Sequence, residues 1–316
     1  MPLFDSYIMV DWTGGNSRSS NKANCIWIAY GPATDQTPTC HSPPSRTEAI
    51  AFITDQLTPL FRGNLGRRTL VCFDFAYAFP VGLAQHLPQL IGEESDLPWR
   101  RVWKYLADNV KDDIGTKPGR VPTNHSNRFV VANTLNSLLS PPGTFGPFWC
   151  SDNPNIYPFI PQNKPAHPFV SSRNVCINAF RICDICVSCD TAFRLFGIGS
   201  VGSQLIVGIP RLHQLRYADS FRHVSMVWPF ETGWASPSGD WLPEATRIVH
   251  AEIYPSVRDP LEDTVRDRGQ VKAMWTWARD TDRAGLLQAR FAISTGIQPG
   301  SAEDLTIRQE EGWILH

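Results

Sequence analysis

Residues 7–15, YIMVDWTGG, form an apolar run that reaches one carboxylate, Asp11, and ends in Thr-Gly-Gly. A short run of β-branched and aromatic residues bounded by glycine predicts a buried β-strand. A charge at the carboxyl end of such a strand lies where α/β proteins bind their ligands. The question for the rest of the chain is which other acidic residues reach Asp11.

Two further predicted strands carry acidic residues near their ends. Residues 70–73 form an apolar run that ends in Asp74, and residues 246–256, TRIVHAEIYPS, place His250 and Glu252 on one face of a strand. A buried carboxylate without a partner costs several kcal/mol, so each acid needs a cation, a metal or hydrogen-bond donors. For each acid alone, capping of the following turn is the alternative.

Composition limits the class of protein. The chain has 316 residues, 42% of them hydrophobic, and a net charge of -1. This length suits one domain with an insertion, and the charge argues against a strongly basic nucleic-acid-binding protein without excluding a local basic groove. The sequence has no secretory signal and no apolar run near 18 residues, so we expect a cytoplasmic protein with no membrane association.

Turn residues and helical periodicity fill in the remaining elements. Residues 13–24 are rich in glycine, serine and asparagine, so the first two strands should form a hairpin. Gly14 and Gly15 could also cradle a phosphate, although a hairpin loop is the preferred interpretation. Apolar spacing predicts helices over residues 46–61, 97–110, 128–139, 267–280 and 284–294.

The polar loop at residues 117–128 ends in Asn127 and Arg128, directly before a predicted helix. A cation at a helix start opposes the helix macrodipole, so Arg128 calls for a carboxylate or phosphate partner. Asp267 occupies the corresponding place in a later helix, where an acid is expected for capping alone.

Two other motifs have weaker functional interpretations. The spacing of four cysteines resembles that of zinc or iron–sulfur ligands, but the same residues also suit the buried face of a helix, and the sequence leaves both open. These cysteines are Cys176, Cys183, Cys186 and Cys189. GIGSVG, residues 197–202, matches a dinucleotide-binding fingerprint by letters only, and with no convincing helix after it we expect a loop.

The order of predicted elements is that of a ribonuclease-H-like α/β fold, with a mixed sheet and a long, mostly helical and loop insertion. We expect a single domain over residues 1–316, with the insertion at residues 80–245. The sequence also resembles an uncharacterised bacterial family of predicted ribonuclease-H-like nucleases, some of whose members are labelled as cobalamin or molybdopterin biosynthesis proteins. The similar blocks cover nearly the whole chain: VDWTGG, CFDFAYAFPVG, HSNRFVVANTLN, GPFWC, GSVGSQLIVGIP, VWPFETG, AEIYPS, DRGQV and EEGWIL.

The resemblance implies an acidic centre made of Asp11, Asp74, Glu252 and Asp267. Around this centre it places four candidate substrate-binding residues, to which we add His250 because it lies beside Glu252. These four are Asn127, Arg128, Arg181 and Gln270. The sequence departs from the family pattern at Asp184, where a glutamate is usual, and at Cys150, which replaces a glycine.

Clustered carboxylates raise each other's pKa unless cations join them, and hard oxygen ligands select Mg²⁺ or Mn²⁺. We therefore expect Asp11, Asp74 and Glu252 to bind such an ion, in a metal-dependent hydrolase that acts on phosphodiester bonds. The substrate would be nucleic acid or a phosphate-containing small molecule. The alternatives are a nucleotide-dependent phosphotransferase or ATPase of the same fold, and a non-catalytic ligand-binding protein.

Overall fold

A mixed seven-stranded β-sheet lies at the centre of the described structure, and helices cover both of its faces. The computed structural model describes residues 2–62, 67–91, 95–117, 119–197, 199–236 and 239–316. The strands of this sheet are β1 (Ser6–Asp11), β2 (Trp27–Pro32), β3 (Thr39–His41), β4 (Thr69–Phe73), β7 (Ser225–Val227), β8 (Ile248–Ile253) and β9 (Ile314–Leu315), while β5 (Phe169–Val170) and β6 (Cys176–Ile177) form a separate hairpin.

The strand order is β3-β2-β1-β4-β8-β7, and β9 also pairs with β8. β1 is antiparallel to β2 and parallel to β4, and β4 is parallel to β8. Val10 of β1 is level with Phe73 of β4, which is level with Glu252 of β8. The carboxyl ends of these three strands therefore meet at one edge of the sheet.

The described helices are mostly found in the second half of the chain. They are α1 (Arg46–Arg62), α2 (Pro98–Asn109), α3 (Arg128–Leu139), α4 (Ile182–Val187), α5 (Val201–Arg216), α6 (Arg266–Arg283), α7 (Leu287–Arg290) and α8 (Ala302–Thr306), with short 3₁₀ helices at Leu83–His86 and Pro255–Val257 and a π-helix at Ile307–Glu311. Among all the residues that the structure describes, no helix is long and apolar enough to cross a membrane.

The side chains of β1 alternate between two hydrophobic cores. Ile8 and Val10 pack in the core that contains α1, α2, α3 and α5, whereas Tyr7 and Met9 pack in the core that contains α6. Successive residues of a strand point to opposite faces of the sheet, so a strand buried on both faces has a continuous apolar sequence. This is why residues 7–10 contain no polar side chain other than the Tyr7 hydroxyl.

The predicted hairpin of the first two strands is confirmed, as are the helices that begin at residues 46, 98 and 128. The predicted helix at residues 284–294 was too long, since only α7 is helical there. The expectation of a loop with no helix after GIGSVG was wrong, because α5 begins at Val201; residue 198 of that motif lies outside the described residues. Pro210 inside α5 obscured its helical pattern.

The segment at residues 80–245, predicted as an insertion, contains α2, α3, α4 and α5. It also contributes β7, which pairs with β8 in the central sheet. The segment is therefore part of the main sheet as well as a cover for one face.

We predict that Gly208→Ala lowers the free energy of unfolding. A Cβ atom at position 208 of α5 would lie 2.6 Å from Cδ1 of the buried Phe75 ring. Overpacking of this kind costs about 1–3 kcal/mol, which exceeds the gain of up to about 1 kcal/mol in helix propensity. Urea denaturation followed by circular dichroism measures the difference.

The matched control is Ser137→Ala, since Ser137 is exposed on α3. Its free energy of unfolding should change by less than about 0.5 kcal/mol. A Gly208→Ala protein as stable as this control would contradict the close packing of α5 against Phe75.

Candidate functional site

A polar cleft lies beyond the carboxyl ends of β1 and β4, between the N-terminal ends of α5 and α6, and has a volume of about 670 Å³. The loop after β1 supplies one wall, and residues at the starts of α5 and α6 supply others. A second cavity of about 290 Å³ shares lining residues with this cleft. The shared residues are Gly199, Gln204, Ser256 and Gln270.

Asp11 lines the cleft, Asp74 lines the adjoining cavity, and the two residues form a pair. The register that aligns Val10 with Phe73 brings the next residues of the two strands, Asp11 and Asp74, side by side, and their carboxyl groups are in hydrogen-bonding contact. The Trp12 amide donates to Asp74 Oδ1 at 2.7 Å. Across the described residues, no basic side chain forms an ion pair with either carboxylate.

Asp267 approaches this pair from α6. It lies in the first turn of the helix, as predicted, and its Oδ2 accepts a hydrogen bond from the Asn24 amide at 2.7 Å. Its negative charge raises the pKa of both Asp11 and Asp74. Three acidic groups, from two strands and one helix, therefore share the electrostatic field of one cleft.

Both carboxyl groups of the pair have raised pKa values. Burial and the adjacent charge of Asp74 raise the pKa of Asp11 well above its ordinary value. Burial also raises the pKa of Asp74 to about 7, although the donated amide hydrogen bonds oppose this shift. Carboxylates in such a pair favour a proton or a cation between them.

Glu252 is engaged elsewhere. Arg181 donates to both of its carboxylate oxygens, at 2.6 Å and 2.7 Å, and the Tyr77 amide donates to Oε2 at 2.8 Å. Arg181 also binds Asp184 at 2.7 Å, so its guanidinium contacts two carboxylates. All three side chains are buried. Burial raises the pKa of Glu252, an effect that Arg181 opposes.

The register explains why Glu252 does not join the other acids. Because Glu252 is level with Phe73, its side chain leaves the sheet on the same face as Phe73. Asp74 is one residue further along, so it starts on the opposite face. Of the predicted metal-binding set, the structure brings Asp11 and Asp74 side by side and pairs Glu252 with Arg181, while Asp74 and Glu252 both line the adjoining cavity.

Among the residues that the structure describes, no group of three or more His, Cys, Asp and Glu side chains lies close enough to hold a metal ion. This includes the four cysteines considered above. Cys183 is buried, Cys189 is half-buried, and Cys176 and Cys186 are exposed, so the expected buried helix face holds for Cys183 only.

Arg128 lines the opposite side of the cleft and is 5% exposed. Its Nε donates to Ser203 Oγ at 2.9 Å, and its Nη1 donates to Asn16 Oδ1 and, at 3.3 Å, to Ser126 Oγ. All of these partners are neutral. Burial, together with the nearby Arg46 charge, lowers the pKa of Arg128 to about 10, so the guanidinium remains charged at pH 7.

The loop after β1 packs closely against α5 and is hydrogen-bonded to Arg46. A Cβ atom at Gly14 would lie 2.9 Å from Ser203 Cβ, so only glycine allows this approach. The fully buried Arg46 donates to the carbonyl oxygens of Thr13 and Gly15 at 3.0 Å and 2.8 Å. Arg46 also forms an ion pair with Asp112 at 2.6 Å.

The remaining predicted substrate-binding residues differ in their positions. Gln270 lines both cavities. Asn127 instead fixes a loop, since it accepts from the Lys111 amide at 2.7 Å and donates to Asn109 O at 2.9 Å. His250 is fully buried and contacts Ser225 Oγ at 2.8 Å; burial lowers its pKa to about 3, so it is neutral and away from the cleft.

Three residues that line the cleft were not predicted from the sequence, namely Asn16, Ser200 and Gln204, and neither was Ser203, which accepts from Arg128. Gln204 donates to Trp12 O at 2.7 Å and thereby joins α5 to the end of β1. The available signal was the apolar spacing of α5, which Pro210 weakens and which places residues 201–204 in the first turn of the helix. Comparisons with protein-family models, with curated proteins and with solved structures found no match for this chain.

We predict that Asp74→Asn stabilises the metal-free protein increasingly as the pH rises. With a pKa near 4 when unfolded and about 7 when folded, Asp74 binds more protons in the folded state between these values, so stability falls as the pH rises through this window. Asparagine does not titrate, so the variant does not lose stability in this way as the pH rises. Relative to wild type, the variant should gain about 3–4 kcal/mol in unfolding free energy between pH 4 and pH 8.

Urea denaturation in a chelating buffer at each pH measures this gain. Asp55→Asn, an exposed change on α1, is the control and should follow the wild-type pH dependence. A constant difference between Asp74→Asn and wild type from pH 4 to pH 8 would argue against a raised pKa.

We predict that Glu252→Ala lowers the free energy of unfolding by about 3 kcal/mol or more, because it removes half of a buried ion pair. Asp108→Ala, which breaks the exposed Lys104–Asp108 pair on α2, should cost about 0.5 kcal/mol or less. Chemical denaturation compares the two variants. Similar small costs would mean that Glu252 is available for other contacts.

Proposed function

We propose that the protein is a metal-dependent hydrolase of phosphodiester bonds and that the reaction takes place in the cleft above Asp11 and Asp74. The observation that carries this proposal is the charge pattern of the cleft. Within the described part of the chain, Asp11 lines the same cleft as Arg128, a buried arginine without an ion pair, and the neighbouring Asp74 lines the adjoining cavity, with no cationic partner for either carboxylate. A bound cation would neutralise the carboxylates, and a bound phosphate would neutralise the arginine.

The strand order supports a ribonuclease-H-like interpretation of the fold. Three antiparallel strands precede two parallel ones in the order β3-β2-β1-β4-β8, and acids follow the first and fourth strands. Asp267 adds an acid from a helix that packs on the same sheet. This agrees with the family resemblance, and the fold alone does not determine the activity.

Asp11 and Asp74 suit Mg²⁺ or Mn²⁺, which proteins commonly bind through one or two carboxylates with the substrate's phosphate oxygens completing the shell. A pair, without a third protein ligand, is therefore sufficient. When bound, such an ion activates water and stabilises the leaving oxygen in phosphodiester hydrolysis. Glu252 keeps its place in the ion pair with Arg181 and supports the floor of the adjoining cavity.

The residues of the chain then have separate roles. Asp11 and Asp74 hold positive charge at one side of the phosphate, and Arg128 stabilises the negative charge that develops on its other oxygens. Asp267 adds to the negative field near the pair, and Gln270 offers an amide at the rim. The N-terminal ends of α5 and α6 both face the cleft, where their dipoles favour an anion.

A nucleotide-dependent phosphotransferase is the second candidate. The specific observation in its favour is the Gly14–Gly15 loop, which packs on the first turn of α5 beside Arg128 and resembles a phosphate cradle. The phosphotransferase would also use Asp11 and Asp74. Hydrolysis of a simple diester would favour the hydrolase, whereas transfer that requires a nucleoside triphosphate would favour this alternative.

We predict that Asp11→Asn and Asp74→Asn each reduce Mg²⁺- or Mn²⁺-dependent hydrolysis of bis(p-nitrophenyl) phosphate by about a hundredfold or more, since several kcal/mol of charge stabilisation are lost. Both variants should remain folded, as checked by circular dichroism, and should bind Mn²⁺ more weakly in electron paramagnetic resonance titrations. The control is Asp219→Asn, because the Asp219 side chain is 94% exposed. Full activity in Asp11→Asn would refute the proposal.

A further inference from the structure

The buried arginines of the described chain are nearly all neutralised. Five arginines are buried, and four of them have a carboxylate oxygen within 2.7 Å. These pairs are Arg46–Asp112, Arg181–Glu252, Arg216–Glu231 and Arg279–Asp280. Arg128 is the exception, with no ion pair to any described acid. A buried charge without a counter-ion is costly, so this position indicates an anion from outside the chain.

The surroundings of Arg128 suit a phosphate group. Its guanidinium lies against the first turn of α5 through Ser203, and the cleft around it is lined by small polar residues of the loop and the helix start. The lining includes Asn16, Gly199 and Ser200. A charged guanidinium beside a helix N-terminus and hydroxyl groups is a common arrangement for binding phosphate.

The mouth of the same cleft carries an aromatic ring. Phe196 lines the cleft and is 48% exposed. An exposed ring at the rim of a polar cleft is a stacking surface for a planar group such as a nucleobase.

The charges around the cleft favour a small ligand over a polymer. Besides Arg128 and the paired Arg181, the only described basic residue that lines the cleft or the adjoining cavity is Arg266. Nucleic-acid chains are bound through many phosphate contacts, on the order of 6–10 in well-studied cases, and the net charge of this chain is -1. A volume of about 670 Å³ lies within the range for small-molecule sites, roughly 300–1,000 Å³.

We infer that the cleft binds a small nucleotide, whose phosphate contacts Arg128 and whose base stacks on Phe196. The inference rests on the proposed function, since it names the substrate class of the same cleft. It concerns binding rather than hydrolysis, however, so the two can fail separately.

The test is isothermal titration calorimetry in metal-free buffer, with inorganic phosphate and AMP as probes. Both should bind and compete with each other. Arg128→Gln should weaken both by about tenfold or more, the effect of losing a charged hydrogen bond. Phe196→Ala should weaken AMP binding and leave phosphate binding nearly unchanged.

Because Arg128 contacts three segments, Arg128→Gln could unfold the protein, and a second pair of variants avoids this. Ser200 is the N-cap residue of α5 and lines the cleft, so aspartate and asparagine are both compatible with its helix position. Ser200→Asp adds a carboxylate that competes with phosphate, and Ser200→Asn is its neutral control of equal size. We expect phosphate to bind about tenfold more weakly to the former.

Equal phosphate affinity in the two Ser200 variants, or no phosphate binding by the wild type, would overturn the Arg128 site. Tighter binding of a 20-nucleotide single strand than of AMP would overturn the small-ligand class. Phosphate binding without any hydrolysis would support this inference and count against the proposed function. Unaffected hydrolysis in the Ser200→Asp variant would support the proposed function and count against this inference.

Discussion

The cost of burying an uncompensated charge organises much of this structure. Where the described chain buries an arginine or a carboxylate outside the cleft, it also supplies the opposite charge or a set of amide donors. The cleft departs from this rule twice, once with Asp11 at the sheet edge and once with Arg128. If these groups were in contact they would neutralise each other. The loop after β1 and the first turn of α5 contact Arg128 instead, so both charges remain available to a ligand.

The parallel pairing of β1 with β4 determines which acids meet. One register position more or less would move Asp74 to the other face and align Asp11 with an apolar neighbour. The same rule places Glu252 on the other face of the sheet, because Glu252 is level with Phe73 and not with Asp74. Similar sequence patterns at three strand ends therefore lead to two different environments, one open to the cleft and one closed around Arg181.

The sequence was informative where structure depends on local pattern. The apolar runs of β1 and β4, the start of α3 at Arg128 and the place of Asp267 in α6 all follow from periodicity and capping. Strand register is a long-range property, so the sequence could not show that Glu252 pairs with Arg181. The start of α5 was missed because Pro210 and two glycines inside the helix weaken its helical signal. Ser200 and Ser203 were therefore missed as well. An arginine at a helix start did point to an anion partner, but its neutral contacts come from segments far away in the chain.

The Arg46 contacts behind the glycine loop have a consequence for ligand binding. Arg46 holds two carbonyl groups of this loop and is itself fixed by Asp112, 66 residues away. The conformational entropy of residues 13–15 is thus lost when the protein folds, and a ligand that arrives later does not incur this cost again. The loop is preorganised, and a residue as distant from the cleft as Asp112 helps to set how tightly the cleft can bind.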